Sequence, residues 1–162
     1  MKVEYINPFI EAVYTLFATM LGSKAIRGNV AVSHNGGTQR DIMALIGLSG
    51  PVRGMVTLAF PIKTALNIAN TLLGSELRVI DDTVSDAIAE VINIVAGSAK
   101  AKLRLDEGPP IELGLPSVVR GSGFCVDYPL KTVWLEVPFE SDLGPFVMRV
   151  TFKMDAQEGV KA

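Results

Sequence analysis

Three polar side chains stand at helical spacing in this chain: Asp86, Glu90 and Asn93, at i, i+4 and i+7. That spacing places all three on one face of a helix. Two acids four residues apart repel slightly, so helix stability does not account for the pair. Spacing alone leaves two readings open: a solvated helix face on which Asp86 serves the cap and the helix dipole, or a face that does work. Other groups that do chemistry are scarce. The sole histidine, His34, precedes Asn35-Gly36-Gly37 in a predicted loop, with no carboxylate or cysteine at a ligand spacing. A metal site of the His/Cys kind therefore lacks ligands. The single cysteine, Cys125, falls in a strand-like run between Phe124 and Val126 and reads as a buried, inert thiol. Gly121-Ser122-Gly123 is too short for a phosphate loop and is not followed by Lys-Ser/Thr. Nucleophile, base and orienting acid are not assembled in any familiar arrangement.

The helix that must carry the three polar residues is the best defined in the chain. Thr83, followed three residues later by Asp86, resembles a capping box, and the periodicity predicts a helix from Val84 to about Leu103. Its apolar stripe is Val84, Ala87, Ile88, Val91, Ile92, Val95 and Ala99, opposite the polar face. Gly97 in its middle costs about 1 kcal/mol relative to alanine, which predicts close packing or a bend. Upstream, Asn7 as N-cap and Pro8 at the first helical position open a helix that Gly22-Ser23 stops after Leu21. Strand-like runs follow at Ile26–Ser33, Ile42–Leu48 and Val52–Phe60, the last two joined by the hairpin signal Ser49-Gly50-Pro51. Pro61 opens a second helix to about Leu73, ended by Gly74. Beyond the third helix, Asp106–Pro110 reads as a loop. Strand-like runs then fall at Leu115–Gly121, Phe124–Tyr128, Thr132–Phe139 and Phe146–Met154, before a polar tail at 155–162.

A weak internal repeat organises these elements. Gly50-Pro51 precedes Val56-Thr57-Leu58 by the same spacing as Gly144-Pro145 precedes Val150-Thr151-Phe152. The expected fold is α+β. Two pseudo-repeated helix–strand–strand–strand units, roughly 7–60 and 82–154, form antiparallel sheet packed against long helices in a single domain over 1–162. Composition bounds the partners. Fifteen Lys+Arg against seventeen Asp+Glu leave a net charge of −2, without the basic excess of a nucleic-acid binder. The chain is 49% hydrophobic and 20% charged, which rules out disorder. With a mean hydropathy of +0.36, so little charge points to apolar surface covered by a partner. No apolar run approaches the roughly 20 residues that span a bilayer. The N-terminus lacks a signal peptide's apolar stretch, and one cysteine cannot form an intramolecular disulfide. The expected location is the cytoplasm.

Asp86-x3-Glu90-x2-Asn93, followed after twenty-two residues by Pro116, resembles the signature of the CheC/CheX/FliY chemotaxis phosphatases. Every written position of that pattern is met, and the helix–strand layout matches over about 5–154. CheC-type members resemble a duplication with Glu-x-x-Asn on both equivalent helices. Here the first helix reads Glu11-Ala12-Val13-Tyr14, with Tyr14 where an amide belongs. One complete site remains, a pattern most similar to the CheX branch.

The resemblance implies a phosphatase for the aspartyl phosphate of a CheY-type response regulator. It implies that Asn93 orients the attacking water, that Glu90 engages the receiver's lysine, and that Asp86 and Pro116 are motif residues. The chain needs no cofactor of its own, since the receiver holds Mg²⁺ on the phosphoryl oxygens. The resemblance also implies a homodimer formed through sheet edges. A different class of function stays open beside it: a non-catalytic module, similar to the flagellar-switch relatives, that binds a receiver without hydrolysing anything.

Overall fold

In the computed structural model, which describes residues 3–33, 38–103, 109–128 and 133–154, the apolar stripes read from the sequence become the packed faces of three helices. Helix α1 spans Asn7–Met20 and buries Phe9, Ile10, Ala12, Val13, Leu16 and Phe17. Asn7 is not its cap. A 3₁₀ turn at Val3–Ile6 runs straight into the helix, with Ile6 already helical at the N-cap position. The preceding turn removes the need for a side-chain acceptor. Helix α2, Ile62–Leu73, begins after Pro61 and ends on Gly74 in the left-handed conformation. Helix α3 spans Asp82–Lys102 and buries the seven predicted apolar residues together with Ala96. Its cap is Asp81 rather than Thr83: the Asp81 carboxylate accepts from the Val84 N–H at 3.0 Å. The extended backbone at Asp81 suits an N-cap, so the helix starts two residues early and Thr83 falls inside its first turn.

Among the described residues eight strands form one antiparallel sheet: β1 Ala25–Arg27, β2 Ala31–Ser33, β3 Thr38–Ser49, β4 Val52–Phe60, β5 Glu112–Leu113, β6 Ser117–Cys125, β7 Trp134–Ser141 and β8 Phe146–Met154. The path is β1-β7-β8-β4-β3-β5, with β2 also on β7 and β6 also on β3. The predicted Ile26–Ser33 run is divided where its register on β7 shifts by one: Gly28 donates its N–H to the Pro138 carbonyl at 2.7 Å, but Pro138 has no N–H to return. The two runs predicted over Leu115–Tyr128 are instead the single strand β6. The register of its pairing with β3 slips between Gln39 and Arg40, which absorbs Gly123 at φ +65°. Cys125, expected to be buried, is exposed at the end of this strand. His34, the loop at Asp106–Gly108 and the 155–162 tail lie outside the described residues.

The repeat has a structural counterpart. Strands β4 and β8 pair antiparallel at the sheet centre, with Val56 opposite Val150. Those two residues are the ones the sequence repeat equates, so a pseudo-two-fold axis passes between them. The axis relates the β3–β4 hairpin to β7–β8 and α1 to α3, and it exchanges the outer strands. Strands β1 and β2 of the first unit pair with β7 of the second, and β6 of the second pairs with β3 of the first. Alternate residues of the four central strands, such as Ile42, Ile46, Val56, Leu58, Val137 and Met148, form one buried cluster with the apolar faces of the helices. Phe146 sits at its aromatic centre, stacked on Phe139 at 4.9 Å and Phe17 at 5.2 Å and tilted against Phe60 at 5.5 Å. On the other sheet face Arg149 Nε donates to its cross-strand neighbour Glu136 at 2.8 Å.

Candidate functional site

Helix α3 lies along the sheet in a direction fixed by contacts near its two ends. At its start, Arg120 of β6 donates to the Ile80 carbonyl at 3.3 Å and pairs with Asp82 at 3.5 Å. Arg120 is the ladder partner of Ile42. At its end, Lys102 pairs with Glu11 of α1 at 2.8 Å. The N-terminal side of α1 reaches the opposite sheet end, where Tyr5 packs on Phe152 at 5.7 Å. Thus α3 runs antiparallel to both α1 and β6.

On this helix Asp86, Glu90 and Asn93 are all exposed, on the face opposite buried Val84, Ile88, Val91, Ile92 and Val95. Among the described residues, none of the three side chains has a hydrogen bond or ion pair. The structural tasks assigned to the acids fall elsewhere: Asp81 caps the helix and Asp82 meets Arg120. Asp86 therefore does not serve as a cap. Burying or pairing Glu90 and Asn93 is no part of how the fold is held together.

Register fixes the level of Pro116 along the sheet. Pro116 precedes Ser117, the partner of Leu45, three residues along β3 from Ile42. A strand rise of roughly 3.3 Å puts Pro116 about 13 Å from Arg120. A helix rise of 1.5 Å puts Glu90–Asn93 roughly 12–16 Å from Asp82 along the same direction. The distant proline of the motif is thus level with the polar pair. Its neighbour Leu115 is 90% exposed. No local pattern signalled that, because Leu115 read as the first residue of a half-buried strand.

The corresponding row on α1 is differently employed. Glu11 is held by Lys102, and Tyr14 lies edge-on to Phe139 at 6.1 Å. Tyr14 also lines a groove of about 540 Å³ with Ala18, Lys24 and Ile26, beside the edge strand β1. Gly97 corrects another expectation. A Cβ built there meets nothing within 4 Å, so close packing does not explain the glycine. Among the described residues no group of three or more His, Cys, Asp or Glu is placed to hold a metal ion. Among the described residues no helix is long and apolar enough to cross a membrane.

This α+β protein with its two-fold strand exchange carries one Glu-x-x-Asn pair exposed on a helix and without side-chain partners among the described residues. The family described as chemotaxis phosphatase CheX matches residues 42–140, and the chain belongs to that family. The CheY-P phosphatase CheX of Thermotoga maritima is 26% identical over 122 residues, covering 75% of this chain and 78% of the relative. The crystal structure of the chemotaxis protein CheX from Desulfovibrio desulfuricans superposes with a TM-score of 0.82 at 26% identity, covering 93% of this chain and 100% of that one. A CheX–CheY–BeF3–Mg²⁺ complex from Borrelia burgdorferi shares the fold, with a TM-score of 0.79 at 24% identity over 94% of this chain and 99% of that one.

Proposed function

We propose that this protein hydrolyses the aspartyl phosphate of a phosphorylated CheY-like receiver domain in the cytoplasm, with Asn93 and Glu90 as the residues that act. The observation that carries the reading is the pair itself: a carboxylate and an amide one turn apart, exposed, and without partners among the described residues. The phosphatase named for the Thermotoga maritima relative and the receiver complex named for the Borrelia burgdorferi relative supply the substrate class.

An acyl phosphate is already activated, so hydrolysis requires mainly a water in line with the bond to be broken. The water oxygen bonds to phosphorus as the P–O bond to aspartate breaks. The products are the free carboxylate and inorganic phosphate, with the water's proton passing to phosphate or solvent. The Asn93 amide oxygen accepts a hydrogen bond from that water while its NH₂ donates to a phosphoryl oxygen. Glu90, one turn earlier, pairs with the receiver's lysine and sets the register of the helix on the receiver. Mg²⁺ belongs to the receiver and neutralises the phosphoryl charge there. Asp86 adds negative charge a further turn away on the same face. Leu115, level with Asn93, offers the apolar contact that the composition leads one to expect at a docking face.

The test is the decay of a phosphorylated receiver with and without the protein. Accelerated release of phosphate supports the reading. Binding without acceleration replaces it with the interaction-module reading. The same proposal includes a homodimer, for which the outer edges of β1, β2 and β6 are available: each of these strands is paired on one side only in the described sheet. Sedimentation at micromolar concentration is expected to give twice the chain mass, and a monomer there refutes the dimer.

A further inference from the structure

Gly97 occupies a position at which the fold gains nothing from glycine. It lies inside an unbroken helix, its φ is ordinary, and an added Cβ would stand in open space. Where glycine is structurally required in this protein, the reason is plain: at Gly54 a Cβ would run into the Thr151 carbonyl and Phe152 of the neighbouring strand. No such neighbour exists at Gly97. Its place on the helix is informative. Asp86, Glu90, Asn93 and Gly97 fall at successive steps of four, three and four residues, so Gly97 continues the polar row one turn beyond the amide. Side chains on an α-helix lean toward its N-terminus, so a residue at 97 covers the turn beneath it, and that turn carries Asn93.

We infer that Gly97 is a positioning residue for the proposed phosphatase reaction: its missing side chain clears the C-terminal flank of Asn93 so that the receiver's backbone can cross α3 there. The inference rests on the reading of Glu90 and Asn93 as the acting pair. With any larger residue, the side chain would lie over the amide and hold the phosphoryl group away. A displacement of about 1 Å at a reacting centre is enough to lose two orders of magnitude in rate. The helix is thus interrupted as a row of side chains but not as a backbone.

The experiment compares wild type, G97A and G97Q in receiver-phosphate decay over a range of receiver concentrations, with thermal melts on the same preparations. G97A is expected to melt roughly 2–4 °C higher, since alanine is the better helix former and no clash arises. G97Q is expected to melt no lower than wild type, while its half-saturating receiver concentration rises at least tenfold. Binding to a beryllofluoride-activated receiver should weaken in parallel, and G97A should fall between the other two. A glutamine variant that matches wild type in half-saturation and rate overturns the inference and leaves the phosphatase reading standing. A wild type that does not accelerate decay overturns both. A G97Q that melts well below wild type overturns the claim that the fold has no need of glycine here.

Discussion

Replacing Asn93 with alanine separates folding from function more sharply than any other change in this protein. The side chain is exposed and has no hydrogen-bond partner among the described residues, so its removal leaves no orphaned group and no cavity. Alanine is a better helix former than asparagine by roughly half a kcal/mol. The variant should therefore melt at or slightly above the wild-type temperature, by about 1–2 °C for a chain of this length. Activity should move the other way. If the amide holds both the water and a phosphoryl oxygen, its loss removes a preorganised donor and acceptor together. Losses of a single such group fall near 10²–10³ in rate. A hundredfold fall corresponds to about 2.7 kcal/mol in the barrier. The assay is phosphate release from a phosphorylated receiver under saturating and limiting receiver, with binding to the beryllofluoride-activated receiver measured alongside. The expected result is binding within about threefold of wild type and acceleration lowered at least a hundredfold. An N93A protein that retains its acceleration within threefold would refute the role assigned to this residue.

Glu90 should behave differently. E90A is expected to raise the half-saturating receiver concentration about tenfold, as fits one charge-assisted contact. E90K should raise it further by setting like charges face to face. Equal affinities for E90A and E90K would disprove a lysine opposite this position. In the core, F146A removes a buried ring that three other phenylalanines pack against. A loss of about 3–5 kcal/mol is expected in denaturant unfolding, and a loss under about 1.5 kcal/mol would show that the aromatic centre closes over the gap.

The elements that local chemistry decides were legible in the sequence. Strands β4 and β8 have the predicted ends, α2 starts at Pro61 and stops at Gly74 as expected, and the buried face of α3 is the predicted stripe. Errors arose where a neighbour in sequence was preferred to the one the backbone uses. Asp81 outcompetes Thr83 as the cap because its backbone is extended, and Asn7 is bypassed because a helical turn arrives before it. Errors arose too where tertiary pairing decides. Gly28 breaks a strand only because Pro138 lies across from it, and Cys125 is exposed because β6 borders a single strand. That Asp86, Glu90 and Asn93 share one exposed face was legible from spacing, while the open space at Gly97 and the exposure of Leu115 needed the packed structure. Spacing tells which residues share a face; it does not tell what else stands beside them.

The exchange of outer strands has a consequence for how the chain reaches its native state. Ala25 pairs with Ser141 and Thr38 with Cys125, across separations of 116 (141 − 25) and 87 (125 − 38) residues. Such pairings close late, after long loops have been drawn in, so folding should be slow for a chain of this size. They also mean that neither repeat is a folding unit. The segment bearing Glu90 and Asn93 owns a helix and two strands of the central sheet, but the strand that receives β6 belongs to the other half. A half-length copy of the repeat could carry the whole motif and still have nowhere to fasten β6, and with it the approach to Pro116. Both units are thus needed for that helix face to form, and α1 is still required although Tyr14 stands where a second amide would be.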